Sequence, residues 1–256
     1  MKYDYFIHIK KDGKILFHTT SQKLRYIIKG LELSKSLCVS SLVAGEPNIG
    51  KKTLIESIFP NAIWVDGTDS NALKNALMTY NEIIIYNFNI YADYNISDFN
   101  GKKIIAISDS TNTTAQIDSL FAFMYTMPSL IERPEDIEYL NEKFSKEAQS
   151  IFGSNNTKAY TPSVNDLLNN TKSLKKAILL HHVYSSITAI DIEKILYKYF
   201  SNEIGGNNDY SKFLPIFERP LIKSGLYRFG SQLKLSSILG INRNTLRKKI
   251  NELGIN

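Results

Sequence analysis

Gly45-Glu46-Pro47-Asn48-Ile49-Gly50-Lys51-Lys52-Thr53 is the stretch on which the reading of the first half of the chain turns. It fits G-x-x-x-x-G-K at both glycines and at the lysine, follows the apolar run Leu42 to Ala44, and opens a helical pattern from Thr53. A strand, a glycine-bearing loop and a helix N-terminus in that order form a phosphate cradle, because loop amides and helix dipole both face an anion. Two positions depart from the pattern. Lys52 stands where a hydroxyl should follow the lysine, with Thr53 one residue late. Asn48 takes a place usual for glycine, and asparagine tolerates a left-handed backbone there. Gly45, Asn48, Gly50, Lys51, Lys52 and Thr53 are the candidate nucleotide-binding residues; the rival reading is a vestigial loop kept for packing, with Lys51 exposed to solvent.

Outward from the loop, the apolar runs Ala62 to Val65, Ile83 to Tyr86 and Ile104 to Ile107 alternate with helical patterns at Thr53 to Phe59 and Ala72 to Tyr80. Fully apolar strands between helices predict a parallel sheet covered on both faces. Upstream, Leu24, Ile27, Ile28 and Leu31 give residues 20–36 an amphipathic helical face. Residues 3–9 and Ile15-Leu16-Phe17 flank Lys11-Asp12-Gly13-Lys14, a hairpin signal. After about residue 128 the strands stop. Glu132-Arg133-Pro134-Glu135-Asp136 reads as a helix start, its acids serving the first turn. Ile137, Leu140, Phe144, Ala148 and Ile151 form the expected buried stripe, with Gly153 past its end. Further helices are expected at 163–185 and 188–200, a linker at 201–210, and helix again in the last 40 residues. His181 and His182, with no acid or cysteine beside them, are not read as a metal site.

Composition narrows the function classes. The 256 residues, 43% hydrophobic and 22% charged, suit one large or two smaller folded domains. One cysteine, Cys38, excludes an internal disulfide and a cysteine-based zinc site and points to a reducing compartment. The longest apolar run is far short of the roughly 20 residues of a membrane span, and the N-terminus has no apolar signal core. The expected location is the cytoplasm, without membrane contact. Residues 221–256 hold seven of the 31 basic groups and one acid, Glu252, so the whole net charge of +6 sits at one end. A neutral body with a basic end is the balance of a nucleic-acid-binding module attached to another domain.

That end reads as two short helices joined at Gly240-Ile241, the second starting at Asn242 as N-cap. Leu235, Ile238 and Leu239 form the inner face of the first; Ile241, Leu246, Ile250 and Leu253 form that of the second. Asn242, Arg243, Thr245, Arg247, Lys248 and Lys249 then lie largely on exposed faces, where long donors reach base edges and phosphates. The alternative is a solvated basic helix. The segment Gly240-Ile241-Asn242-Arg243-Asn244-Thr245-Leu246-Arg247-Lys248-Lys249-Ile250, with Leu253-Gly254-Ile255-Asn256, resembles the helix-turn-helix of Fis-type proteins. Phe217-Glu218-Arg219-Pro220-Leu221-Ile222 resembles the preceding helix that helps pair two subunits. The resemblance implies DNA contacts from Arg243, Thr245, Arg247 and Lys248, a helix-start role for Asn242, a backbone contact from Lys234, and a two-fold dimer on double-stranded DNA. Ser231 for the usual asparagine and Leu233 for a small polar residue are departures that weaken individual phosphate contacts.

The body is similar to a shrunken central AAA+ domain of NtrC-type activators, the ATPases that open sigma-54 promoters. Thr20-Ser21-Gln22-Lys23-Leu24, Lys103-Ile104-Ile105-Ala106-Ile107-Ser108 and Met127-Pro128-Ser129-Leu130-Ile131-Glu132-Arg133-Pro134-Glu135-Asp136-Ile137 resemble the helix entry, the sensor strand and the start of the lid. Asn87-Phe88 stands where the family has the Asp-Glu pair that holds magnesium and activates water. No room remains before it for the sigma-contacting loop, and in Leu167-Leu168-Asn169-Asn170-Thr171-Lys172-Ser173-Leu174 Lys172 replaces the sensor arginine. The expectation is an α/β P-loop, AAA+-like parallel sheet with an α-helical lid, followed by an all-α Fis-type helix-turn-helix. Its divisions are an N-terminal β-hairpin (1–17), a degenerate core (18–127), a lid (128–200), a linker (201–210) and the helix-turn-helix (211–256). Residues 1–17 are too short for a phosphorylatable receiver domain. The implied function is a bacterial, nucleoid-associated, sequence-specific DNA-binding regulator without ATPase activity, acting as a homodimer or higher oligomer or with a partner regulator. The alternatives are an AAA+ switch that binds ATP or ADP without hydrolysis, and a sigma-54 activator ATPase.

Overall fold

The computed structural model describes residues 7–11, 14–90, 99, 101–112, 114–152 and 160–255. The chain divides into two compact units, Met1–Ser186 and Ile187–Asn256.

The first unit opens with β1 (Ile7–Lys11) and β2 (Lys14–Thr19), paired antiparallel; the expected Asp12-Gly13 turn between them lies outside the described residues. After α1 (Gln22–Ser34) comes a sheet built from β3 (Ser41–Ala44), β4 (Ile63–Asp66), β5 (Glu82–Tyr86), β6 (Lys103–Ser108) and β7 (Phe123–Thr126). All its pairings are parallel and the order is β4-β5-β6-β3-β7. The crossovers carry α2 (Lys51–Ile58), α3 (Ser70–Thr79) and the short α4 (Ala115–Leu120). Alternation along the strands explains the continuous apolar runs. Ile84, Ile105 and Val43 pack with Leu24, Ile28 and Leu54 on one face, while Ile83, Ile85 and Ala106 pack with Leu73, Ala76 and Ile117 on the other. Each fully buried isoleucine of β5 contributes about 1.5–3 kcal/mol.

The sequence reading passes over β7, whose residues are mostly exposed because it is the sheet's edge. The lid follows: a 3₁₀ turn (Pro134–Asp136), α5 (Ile137–Phe152), a second 3₁₀ turn (Val164–Leu167) and α6 (Asn170–Ser186). Leu130, Leu167, Leu174 and Ile178 form its core with Ile137, Leu140 and Phe144. Ile151, expected in the stripe, is 59% exposed at the end of α5.

The second unit contains α7 (Ala189–Glu203), α8 (Asp209–Phe229), α9 (Gln232–Leu239) and α10 (Arg243–Glu252). Where the sequence reading carries the lid through residue 200, the structure groups α7 with the C-terminal helices. The stretch expected as a linker is helical at its two ends (201–203 and 209–210) and non-helical over 204–208, where Asp209 accepts from the Gly205 and Gly206 amides at 2.7 and 2.8 Å. Ile222, Leu235, Leu246, Ile250, Leu253 and Ile255 form this unit's core.

Candidate nucleic-acid interface and phosphate loop

The helix pair α9–α10 is set by local chemistry. Ser231 caps α9, its hydroxyl accepting from the Lys234 amide, and Gly240 ends the helix at φ 66, a left-handed turn that glycine enters without a steric penalty. Asn242 caps α10, its side chain accepting from the Asn244 amide at 2.8 Å. Leu246 and Ile250 turn inward. Asn242, Arg243, Thr245, Arg247, Lys248 and Lys234 are all exposed, and among the described residues Arg243 and Arg247 make no ion pair. Lys248 has only a loose 3.7 Å approach to Glu252. Two expectations need correction. Ile238, assigned to the inner face, is 52% exposed, because buried Ser236 packs inward beside Leu235. Lys249, assigned to the exposed face, bends back to Glu218 of α8 at 2.5 Å, about 200° round the helix from Arg247 and over its buried side.

In the first unit, parallel strands place their carboxyl ends along one edge of the sheet. β3 lies between β6 and β7, so the loop after Ala44 leaves where the strand order reverses, the usual place for a crevice in an open α/β sheet. Gly45 is required there, since a Cβ would stand 2.6 Å from the Met127 carbonyl oxygen. Asn48 takes φ 62 and Gly50 φ 97, both left-handed. The resulting cleft of about 350 Å³ is lined by Asn48, Gly50, Lys51, Lys52, Thr53 and Thr171, with Asn87 and Asp109 arriving from the ends of β5 and β6. The candidate residues are therefore brought together, with Gly45 contributing its carbonyl.

Lys51, however, is turned inward and buried. Its Nζ donates to the carbonyls of Gly45 and Glu46 at 2.5 and 2.6 Å and pairs with Asp109 at 2.8 Å. Burial pushes its ammonium below the ordinary lysine value, with Asp109 acting against that shift. Lys52 lies 4.4 Å above the ring of Tyr86. Asn87, at φ 53, donates to Asp66 at 3.3 Å. Phe88 is 2% exposed and meets Phe121 edge-on at 5.5 Å, so this position just past β5 is occupied by packed aromatic rings.

Sequence reasoning missed the residues that tie lid to loop. Asn170, at φ 51 and buried, accepts from the Leu130 amide at 2.7 Å and donates to the Glu46 carboxylate at 2.9 Å and the Pro47 carbonyl at 3.1 Å. Thr171 donates to the Asn48 carbonyl from its amide at 3.1 Å and from its hydroxyl at 2.6 Å. Asp136, read as a helix-turn acid, is instead a buried partner of Arg133 at 3.2 Å and accepts from Thr19 and from the Thr20 amide at 2.8 Å. Arg133 also donates to the Ile49 carbonyl, so the lid's first turn holds the loop from behind. Glu132 does serve its turn, accepting from the Ser129 amide and hydroxyl, which keep its carboxyl below the ordinary value.

A parallel α/β sheet with a phosphate-loop motif, a helical lid and a helix-turn-helix unit is the class of protein these elements define. Residues 213–253 match the model of the bacterial regulatory protein, Fis family, over the same helices as the expected resemblance. The chain is 44% identical over 68 residues to the DNA-binding transcriptional regulator NtrC of Azospirillum brasilense and 44% over 57 residues to that of Rhizobium meliloti (strain 1021). Those stretches are 25% and 22% of this chain but only 14% and 12% of the relatives' lengths. Among solved structures, NtrX from Brucella abortus in complex with ATP aligns over 96% of this chain and 70% of its own, with TM-score 0.49 and 14% identity. The Holliday junction branch migration motor RuvB of Thermotoga maritima aligns over 88% of this chain and 82% of its own, with TM-score 0.40 and 14% identity. Among the described residues no helix is long and apolar enough to cross a membrane.

Proposed function

We propose that the chain is a sequence-specific, DNA-binding transcriptional regulator that reads duplex DNA with α9 and α10 and works without ATP hydrolysis or sigma-54 activation. The observation that carries this reading is the outward row Arg243, Arg247 and Lys248 behind the Asn242 cap, within the segment that matches the Fis family. Arg243 and Arg247 read base edges, Asn242 and Thr245 orient the helix start, and Lys234 and Lys248 meet phosphates. Exposed Ile216, Phe217 and Leu221 on α8 support pairing of two copies on a palindromic site. Asn87 and buried Phe88 support the absence of hydrolysis, since neither supplies a carboxylate for metal or water.

Selection of genomic fragments by the purified full-length chain at two salt concentrations tests this. Enrichment of a short palindrome that survives the higher salt is the expected result. Uniform retention that vanishes with salt would mean a sequence-independent binder, and no retention would end the DNA reading. Phosphate release from ATP above background would end the non-hydrolytic part alone.

A further inference from the structure

We propose that Asp109 is an internal anion that takes the phosphate position of the loop and closes this cleft to phosphate-bearing ligands. An ammonium has three protons to donate. Those of Lys51 meet three acceptors: the Gly45 carbonyl at 2.5 Å, the Glu46 carbonyl at 2.6 Å and Asp109 Oδ1 at 2.8 Å. The lysine is 5% exposed and the Asp109 side chain 67% exposed, so the carboxylate stands on the solvent side of a buried cation. It shares the cleft wall with Asn48, Lys52, Thr53 and Thr171. A phosphate approaching Lys51 meets a like charge and must displace it, while the pair as it stands is neutral. A second acid, Glu46, is fixed beside the loop by Asn170 at 2.9 Å. The lid holds the loop in this arrangement, because Thr171 donates twice to the Asn48 carbonyl. Asp109 is thus a specificity-determining residue: it sets the cleft's preference against anions, and the lysine of the motif is neutralised within the fold.

The inference rests on the proposal above only in placing the cleft outside catalysis. Its test is calorimetric titration of the full-length chain with inorganic tripolyphosphate and with Mg-ATP, for wild type, Asp109→Asn, Asp109→Ser and the double variant Asp109→Asn/Lys51→Ala. Removing the charge is expected to tighten both ligands by about tenfold or more, and the gain is expected to vanish when Lys51 is also replaced. The serine variant reports the same gain if the asparagine variant fails to fold. Wild type binding either ligand as tightly as the charge-free variants would overturn the proposal. So would no binding by any variant, since the carboxylate would then not be what keeps phosphate out. ATP turnover by wild type would fell the non-hydrolytic reading instead, and loss of DNA retention would fell the regulator reading, each separately visible.

Discussion

Two helix N-termini in this chain open on cations, and they treat them in opposite ways. α10 begins Arg243 behind the Asn242 cap, and α2 begins Lys51-Lys52 behind Gly50. Neither has an acid in its first turn, although a helix N-terminus favours negative charge by about 0.3–1 kcal/mol. In α10 Arg243 stays in water and makes no ion pair among the described residues, at some cost to the isolated helix. In α2 the first cation folds back onto carbonyls and Asp109. What a basic motif can bind therefore depends on which acceptors the fold has already assigned to it. Residue type and spacing alone leave that open.

The sharpest way to break the comparison is to disturb one region and watch the other. Asp136→Ala leaves Arg133 buried without its carboxylate, which should cost about 3–5 kcal/mol. In calorimetric melting the transition of Met1–Ser186 should fall while that of Ile187–Asn256 holds; equal falls in both would show one cooperative body. Next in size, Arg243→Ala and Arg247→Ala should each weaken binding to a selected palindrome by about 1–3 kcal/mol and relax its sequence preference. Anisotropy titrations in which both variants match wild type would remove α10 from the interface.

Lys249→Ala sharpens the contrast within α10 itself. Because Glu218 holds Lys249, DNA affinity should stay near wild type while stability drops by about 0.2–1 kcal/mol. An affinity loss equal to that of Arg247→Ala would place Lys249 among the readers. The smallest effect is expected from pH. The Tyr160 hydroxyl first, then Ser163, hold the Asp166 carboxyl below its ordinary value. Its stabilisation is complete above that ordinary value and lost as pH falls through the lower folded value. Asp166→Asn should flatten this part of the acid limb in a melting-against-pH series; an unchanged slope would mean the Val164–Leu167 turn does not depend on the charge.

What was legible in the sequence divides along the same physical line. β3, β5 and β6 were legible because interior strands covered on both faces are apolar throughout, and the edge strand β4 because Ala62 to Val65 is still an apolar run. β7 is passed over although Phe121 to Tyr125 is apolar too, and its exposed Phe123 and Met124 show that such a run does not by itself mean burial. The helix-turn-helix was visible because caps, turn glycine and core spacing all act within a few residues. Asp109 and Asn170 were not. Asn170 meets Glu46 across 124 positions of chain, and Asp109 gains its meaning only when β6 is laid beside β3. Lys249 and Ile238 were misplaced by small rotations of a helix face, which a pattern of apolar spacings does not fix to better than one neighbour.

Phe88 also limits what its position can hold. It sits in the core with Ile83, Ile85, Phe99 and Phe121, and a glutamate at that position would bring a carboxylate among aromatic rings at a cost of about several kcal/mol. A single substitution that put an acid at this position would cost the unit much of its stability. The surrounding rings would have to change with it before a carboxylate could be accommodated.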